Sequence, residues 1–370
     1  LSNMTLAATP AATGYGAANV VLSGTGFTSA SSGDITVTAT NSTAGASTGI
    51  TQTGAITNNA SGSNISFISN NVINQTGAIT LAANTSNATS TVLYDTRTGN
   101  KLSTITTGTL TTTAGSTKAI NYSILSAGSA ISANAMSVSG TITMNNTYGC
   151  ATAPCTALTA IDNYITTSNF STLATTSAGI TVGGALVGGT GINLDGVTYS
   201  ANHGVYSTVA ITAATGNIDI LGITNTGSGV YFSGSAATMT ASAGNIILTG
   251  SQLAGNAAVN LNGVLTATAG SVTITGSNTT GNFAFWDNSL ITAATGISIT
   301  GTSAPGNGNA AISMSGAMTV TGAGASIALT ANNTANPGVA AIANTGAITI
   351  ARGGNLTFIS NGIINQTGAI

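Results

Sequence analysis

Glutamate is missing from this chain, and charge of either sign is nearly so: six Asp and four Lys or Arg make up 3% of 370 residues, against about 25% in an ordinary soluble domain. The cations, Arg97, Lys101, Lys118 and Arg352, are too few and too scattered in sequence for the basic stripe of a nucleic-acid reader. Aromatic residues are 4% with one Trp, too sparse for the aromatic girdles of a transmembrane barrel. Uninterrupted apolar runs reach only the length of Val339-Ala340-Ala341-Ile342-Ala343, whereas a spanning helix takes about 20 residues, so no transmembrane segment is expected. The opening residues carry neither a basic nor an apolar signal region, so any export signal is expected outside these residues.

Cysteine is confined to Cys150 and Cys155 in CATAPC. A redox motif has two intervening residues rather than four, and a metal site needs more ligands than this pair. A structural disulfide closing a small loop suits an exported protein; free thiols are the other reading.

What the chain does contain is rhythm. One strand pattern recurs as GNIDILG (216–222), GNIILTG (244–250), GSVTITG (270–276), GISITG (296–301), GASIALT (324–330) and GNLTFIS (354–360), with opening glycines 28, 26, 26, 28 and 30 residues apart. Two further strands lie between members, such as AVNLNG (258–263) and VLTATA (264–269). Alternation of period two puts Ile218 and Ile220 on one face and Asp219 on the other. A coil of this length cannot bury its own apolar face, but stacked coils can. The expected fold is an all-β, right-handed parallel β-helix with about 26–30 residues and three short strands per coil. The glycine opening each strand is expected to supply positive φ at a corner. About 13 coils at about 4.8 Å each make a rod of roughly 60 Å.

A larger repeat overlies the coil. NISFISNNVINQTGAI (64–79) returns as NLTFISNGIINQTGAI (355–370), identical at 12 of 16 positions and offset by 291. Residues 290–370 thus repeat 1–79, and the segment reads as one super-repeat and the start of the next. The expected organisation is coils over 1–144 with irregular loops at 80–130, an insertion at 145–176, and regular coils over 177–370. The insertion holds Pro154 and both cysteines, and Leu158, Ile161 and Ile165 fall at helical spacing. YDTRTGNK (94–101), with three of the ten charged residues, reads as a solvated loop, with a ligand or partner contact as the other reading.

Chemistry has little to work with. Asp195, His203 and Asp219 are the closest set of titratable residues in sequence. Polysaccharide cleavage on a β-helix needs carboxylates or bases within about 5–10 Å. Asp195 reads as a turn residue, and Asp219 takes the outward position filled by Ile247, Thr273 and Ser298 in later coils. Calcium repeats of the GGxGxD type and a phosphate loop are both absent from the sequence. Thr-x-Thr pairs suggest the ordered-water faces of ice-binding solenoids, but no constant register from coil to coil is visible in the sequence. In FAFWDN (283–288), Phe283 and Phe285 are expected on one face and Trp286 on the other, where it can stack on a sugar ring.

GNIxLTG, GVxxSG and TATAG strands resemble those of filamentous-haemagglutinin-like adhesins and autotransporter passenger domains, the β-helical exoproteins of Gram-negative bacteria. The resemblance is strongest over 216–360. It implies export beyond the outer membrane, attachment or assembly at the cell surface, and no cofactor; it transfers no site residue. The expected role is an extracellular structural or adhesive fibre, not an enzyme. Its expected partners are copies of itself, end to end or side by side, and cell-surface glycans or receptors. A carbohydrate-binding or polysaccharide-degrading β-helix and an ice-binding solenoid are the alternatives.

Overall fold

The computed structural model describes residues 4–8, 20–23, 27–29, 33–40, 48–86, 89–96, 104–126, 130–146, 178–198, 202–234, 236–280, 282–303, 309–333 and 339–370. Among these residues every regular element is a strand, and no helix is long and apolar enough to cross a membrane. The chain is an all-β parallel solenoid with three strands per coil, each joining one of three parallel sheets. Its residues fall into two compact units, Leu1–Ala174 with Gly179–Gly189, and Thr175–Ala178 with Thr190–Ile370.

In the first unit, Ile35–Ala39, Ile65–Ser69, Ser90–Thr96 and Ile120–Ser126 are consecutive strands of the first sheet. Residues 80–130, where the sequence shows no rhythm, hold strands of the same ladders, among them Ser90–Thr96, Leu110–Thr112 and Ile120–Ser126. Tyr94 therefore does not begin a solvated loop. It is an inward residue of Ser90–Thr96, 1% exposed, with its ring 4.9 Å from Phe67 and 5.5 Å from Tyr122. Aromatic rings fill the core at that level where Ile fills it elsewhere. Most coil-to-coil steps resemble Ile35↔Ile65, but Ile131 pairs with Ile180 and Met136 with Leu186, steps of 49 and 50 residues. The surplus lies in the connection containing residues 147–177. That stretch, the helix expected near 157–165 and Cys150 and Cys155 are outside the described residues.

In the second unit the first sheet runs through Gly191–Thr198, Ile218–Thr224, Ile246–Gln252, Ser271–Asn278, Gly296–Ser303, Ser326–Asn333 and Leu356–Ser360. Its inward column is Ile192, Ile218, Ile246, Val272, Ile297, Ile327 and Leu356. The second sheet contains Val205–Ser207, Val230–Phe232, Ala257–Leu261, Phe283–Asp287 and Ile312–Met314; the third contains Ile211–Ala213, Thr238–Ala241, Val264–Ala267, Ile291–Ala293, Met318–Val320 and Ile348–Ile350.

Glycine works here mainly by allowing close approach. Of the six strand-opening glycines, only Gly324 has positive φ among the described residues. At Gly216 and Gly244 a Cβ would instead meet the carbonyl oxygen of Thr190 at 1.5 Å and of Gly216 at 2.1 Å. Inside the first-sheet strands a second column, Gly196, Gly222, Gly250, Gly276 and Gly301, continues to Ala331. At Gly250 and Gly276 a Cβ would lie 2.2 and 2.1 Å from the carbonyl oxygens of Ala258 and Ala284, near the start of second-sheet strands. Missing side chains let the two sheets meet at a tight corner.

Polar residues are also stacked inward. Thr198, Thr224, Gln252, Asn278, Ser303 and Asn333 are in register and at most 2% exposed. Several donate to backbone carbonyls of the adjoining connections: Asn278 Nδ2 to Phe283 O at 2.9 Å and Thr224 Oγ1 to Asn202 O at 2.6 Å. In each QTGAI or NTGAI segment the amide turns back on its own corner: Gln52 Nε2 donates to Gly54 O, Gln75 Nε2 to Gly77 O, Asn344 Nδ2 to Gly346 O at 3.0 Å and Gln366 Nε2 to Gly368 O at 2.9 Å. A buried carbonyl without a partner is costly, which accounts for an amide at a core position.

Candidate functional site

Asp195 lies inside the strand Gly191–Thr198, not in a turn. It is opposite Leu221, and Asp219 is opposite Asn193. The two acids are therefore diagonal neighbours on the outward face of the first sheet, about 7–8 Å apart at their backbones. Asp219 precedes Ile247, Thr273 and Ser298 in one column, as its position in the repeat predicts. Partial burial raises its carboxyl above the ordinary value.

His203 belongs to a different surface. Its ring centroid is 4.5 Å from that of Tyr231 and 5.4 Å from that of Tyr206, both on the second sheet. Its Nδ1 accepts the Ser228 backbone N–H at 3.1 Å, and burial lowers its pKa to about 4, so the imidazole is neutral at pH 7. The residues nearest in sequence thus divide into an acid pair on one sheet and a histidine in an aromatic stack on another. Among the described residues no group of three His, Cys or Asp is placed to hold a metal ion.

The aromatic stack continues into a surface cleft. Along the outward face of the second sheet, Tyr206, Tyr231, Asn260, Trp286 and Ser313 are in register. Tyr206 and Tyr231 stack with centroids 5.6 Å apart. Asn260 is shorter than its neighbours, and above it opens a cleft of about 410 Å³ between Tyr231 and Trp286. Phe283 lines the cleft with Trp286 and does not share the inward face with Phe285. Alternation fails here because adjacent Ala284 and Phe285 both face inward, each 0% exposed, as the chain rounds the tight glycine corner. Asn256 and Asn262 complete the polar part of the lining. Trp286 was legible from the sequence; its partnership with Tyr231 and Asn260 was not, since these residues lie in three different coils.

A second surface concerns threonine. In the third sheet Thr212, Thr240, Thr266, Thr292, Thr319 and Thr349 form one unbroken column in register. Thr57, Thr80 and Thr111 do so in the first unit. The sequence reading that threonines keep no register is therefore wrong for this sheet. Connections of unequal length hide the alignment in the linear sequence, while the third-sheet strands themselves keep a common Ile/Met/Leu-Thr-Ala/Val/Ile core.

Compared with protein-family models, curated proteins and solved structures, the chain finds no match.

Proposed function

We propose that this chain is a segment of an extracellular structural or adhesive fibre, assembled from neutral stacked coils and associating with copies of itself end to end or side by side. The observation that carries the reading is the reuse of one module. The 16-residue segment that recurs 291 positions later supplies the same two sheets both times, as Ile65–Ser69 with Val72–Gln75 and as Leu356–Ser360 with Ile363–Gln366. Repetition of this two-strand segment at that distance suits a polymer extended by modules. With 3% charged residues, its flanks have little like-charge repulsion to keep molecules apart. Four Lys or Arg leave trypsin-like proteases few sites, a useful property outside a bacterial cell. Adhesion to glycans or receptors and a place beyond the outer membrane belong to the same proposal. Sedimentation velocity over a concentration series, with electron microscopy of the same samples, tests it: filaments or growing oligomers are expected, and a monodisperse monomer at high concentration rejects it.

A specific observation favours a second reading, ice binding. Six threonines in register repeat at the strand spacing of about 4.8 Å, close to a repeat of water oxygens in ice. The outward positions two residues earlier are Ala210, Thr238, Val264, Leu290, Ala317 and Ala347, none charged. Thermal hysteresis in a nanolitre osmometer decides it; a freezing point equal to the melting point rejects it.

A further inference from the structure

We infer that the cleft between Tyr231 and Trp286 is a binding site for a neutral saccharide, one ring of which slots between the two aromatic side chains over Asn260. Register supplies the first argument. Tyr231 and Trp286 occupy the same outward column two strands apart, with Asn260 between them. Two strand spacings are about 10 Å. One ring in van der Waals contact with an aromatic plane on each side takes up about 8 Å, at about 4 Å per contact. Neighbouring Tyr206 and Tyr231 show how rings stand on this face, with planes 29° apart. The cleft volume of about 410 Å³ also accommodates a sugar unit and parts of its neighbours.

Chemistry supplies the second argument. The polar lining consists of three neutral amides, Asn256, Asn260 and Asn262, each able to donate and accept. They are ordered before any ligand arrives. Asn262 Nδ2 donates to Asn260 Oδ1 at 3.3 Å, Asn288 Nδ2 to Asn262 Oδ1 at 3.5 Å, and Asn282 Nδ2 to Asn256 Oδ1 at 3.1 Å. A pyranose matches this surface, with apolar C–H faces for Tyr231, Phe283 and Trp286 and hydroxyls at its rim for the amides. Among the described residues no cation lines the cleft, which disfavours nucleotides and sulfated or uronic glycans, whose anionic groups would lack a partner. The site does not depend on fibre assembly, since all its residues belong to one unit of one chain.

Trp286 is the only tryptophan, so its fluorescence reports on the cleft directly. The probes are cellotetraose, mannotetraose and chitotetraose, with a heparin tetrasaccharide as the anionic control, each titrated into wild-type chain and checked by calorimetry. A saturable emission change with at least one neutral probe is expected. Calorimetry should then show affinity reduced about tenfold or more in Trp286→Ala, because aromatic stacking is the main contact. Asn260→Tyr continues the aromatic column, suits an outward, partly exposed strand position and fills the gap, so it should abolish binding with the fold intact by circular dichroism. Absence of saturable binding to every neutral probe, binding to heparin alone, or undiminished affinity in Asn260→Tyr overturns the inference. Failure of self-association in the sedimentation experiment would reject the fibre and leave this result untouched.

Discussion

Asp287 Oδ1 accepts the backbone N–H of Ser289 at 2.9 Å and also the Ser289 hydroxyl, while Oδ2 makes no hydrogen bond. This carboxyl group lies in the core: Asp287 is 0% exposed and stacked in register between Leu261 and Met314. Burial pushes its pKa up to about 6, against the opposing pull of the two Ser289 bonds.

The pH dependence of stability follows, and its sign differs between two residues. Between the ordinary value of 3.8 and about 6, folded Asp287 holds a proton that the unfolded chain has released. Its contribution is complete below the lower value and is lost as pH rises to the upper, about 3 kcal/mol in all. Half-buried Asp219, also raised, has the same sign. His203 is lowered from 6.5 to about 4 by burial, so its contribution is complete above the upper value and is lost as pH falls through that window. In wild type the slopes oppose each other. Asp287→Asn should be less stable at pH 4 than at pH 6.5, and His203→Gln more stable at pH 4 than at pH 6. Thermal melts at four pH values check this, and identical profiles for the two variants would refute it.

The glycine corner makes a graded prediction. At Gly250 a Cβ would meet the Ala258 carbonyl oxygen at 2.2 Å, whereas at Gly301 the nearest backbone atom is Ala311 O at 3.1 Å and the closer contact is the Ile312 side chain. Gly250→Ala should cost about 2–3 kcal/mol and Gly301→Ala about 1 kcal/mol or less, since side chains can shift where backbone cannot. Ala331 already occupies the next place in the column. Urea denaturation midpoints measure both, and equal losses would contradict the packing argument.

Aromatic packing in the first unit makes a further prediction. Phe67 is 0% exposed and stacked on Tyr94. Phe67→Ala should lose about 3–5 kcal/mol, read by the same denaturation curves. A loss no larger than that of an outward substitution would contradict the stacked core.

Substituting the threonine column separates its surface role from the fold. Thr266→Lys and Thr292→Lys are outward changes and should each alter stability by no more than about 0.5 kcal/mol. If the column binds ice, the paired substitution abolishes thermal hysteresis. Hysteresis that survives it would place any ice contact elsewhere.

Much of the coil was legible because alternation is a local property: Ile218, Asp219 and Ile220 take the faces that period two assigns. The site was legible only in part. Trp286 stood out by its rarity, but Tyr231 and Asn260 become its neighbours through pairings 26 to 29 residues long. Gln75, Asn344 and Asp287 look like surface residues, yet each falls on the inward phase of its strand. The repeated TGAI after Gln and Asn was the available signal, since a buried corner carbonyl needs a donor.

The chain by itself determined a sparsely charged, three-stranded coil with an apolar inward face, because a side chain's face is set by its immediate neighbours. Tertiary structure alone decided which outward residues meet. Whether threonines align into a column, whether Tyr231 faces Trp286 across Asn260, and whether a glycine is kept for φ or for contact depend on the length of each connection. Unequal connections are absorbed between strands, so equivalent positions meet in space without sharing a constant spacing in sequence.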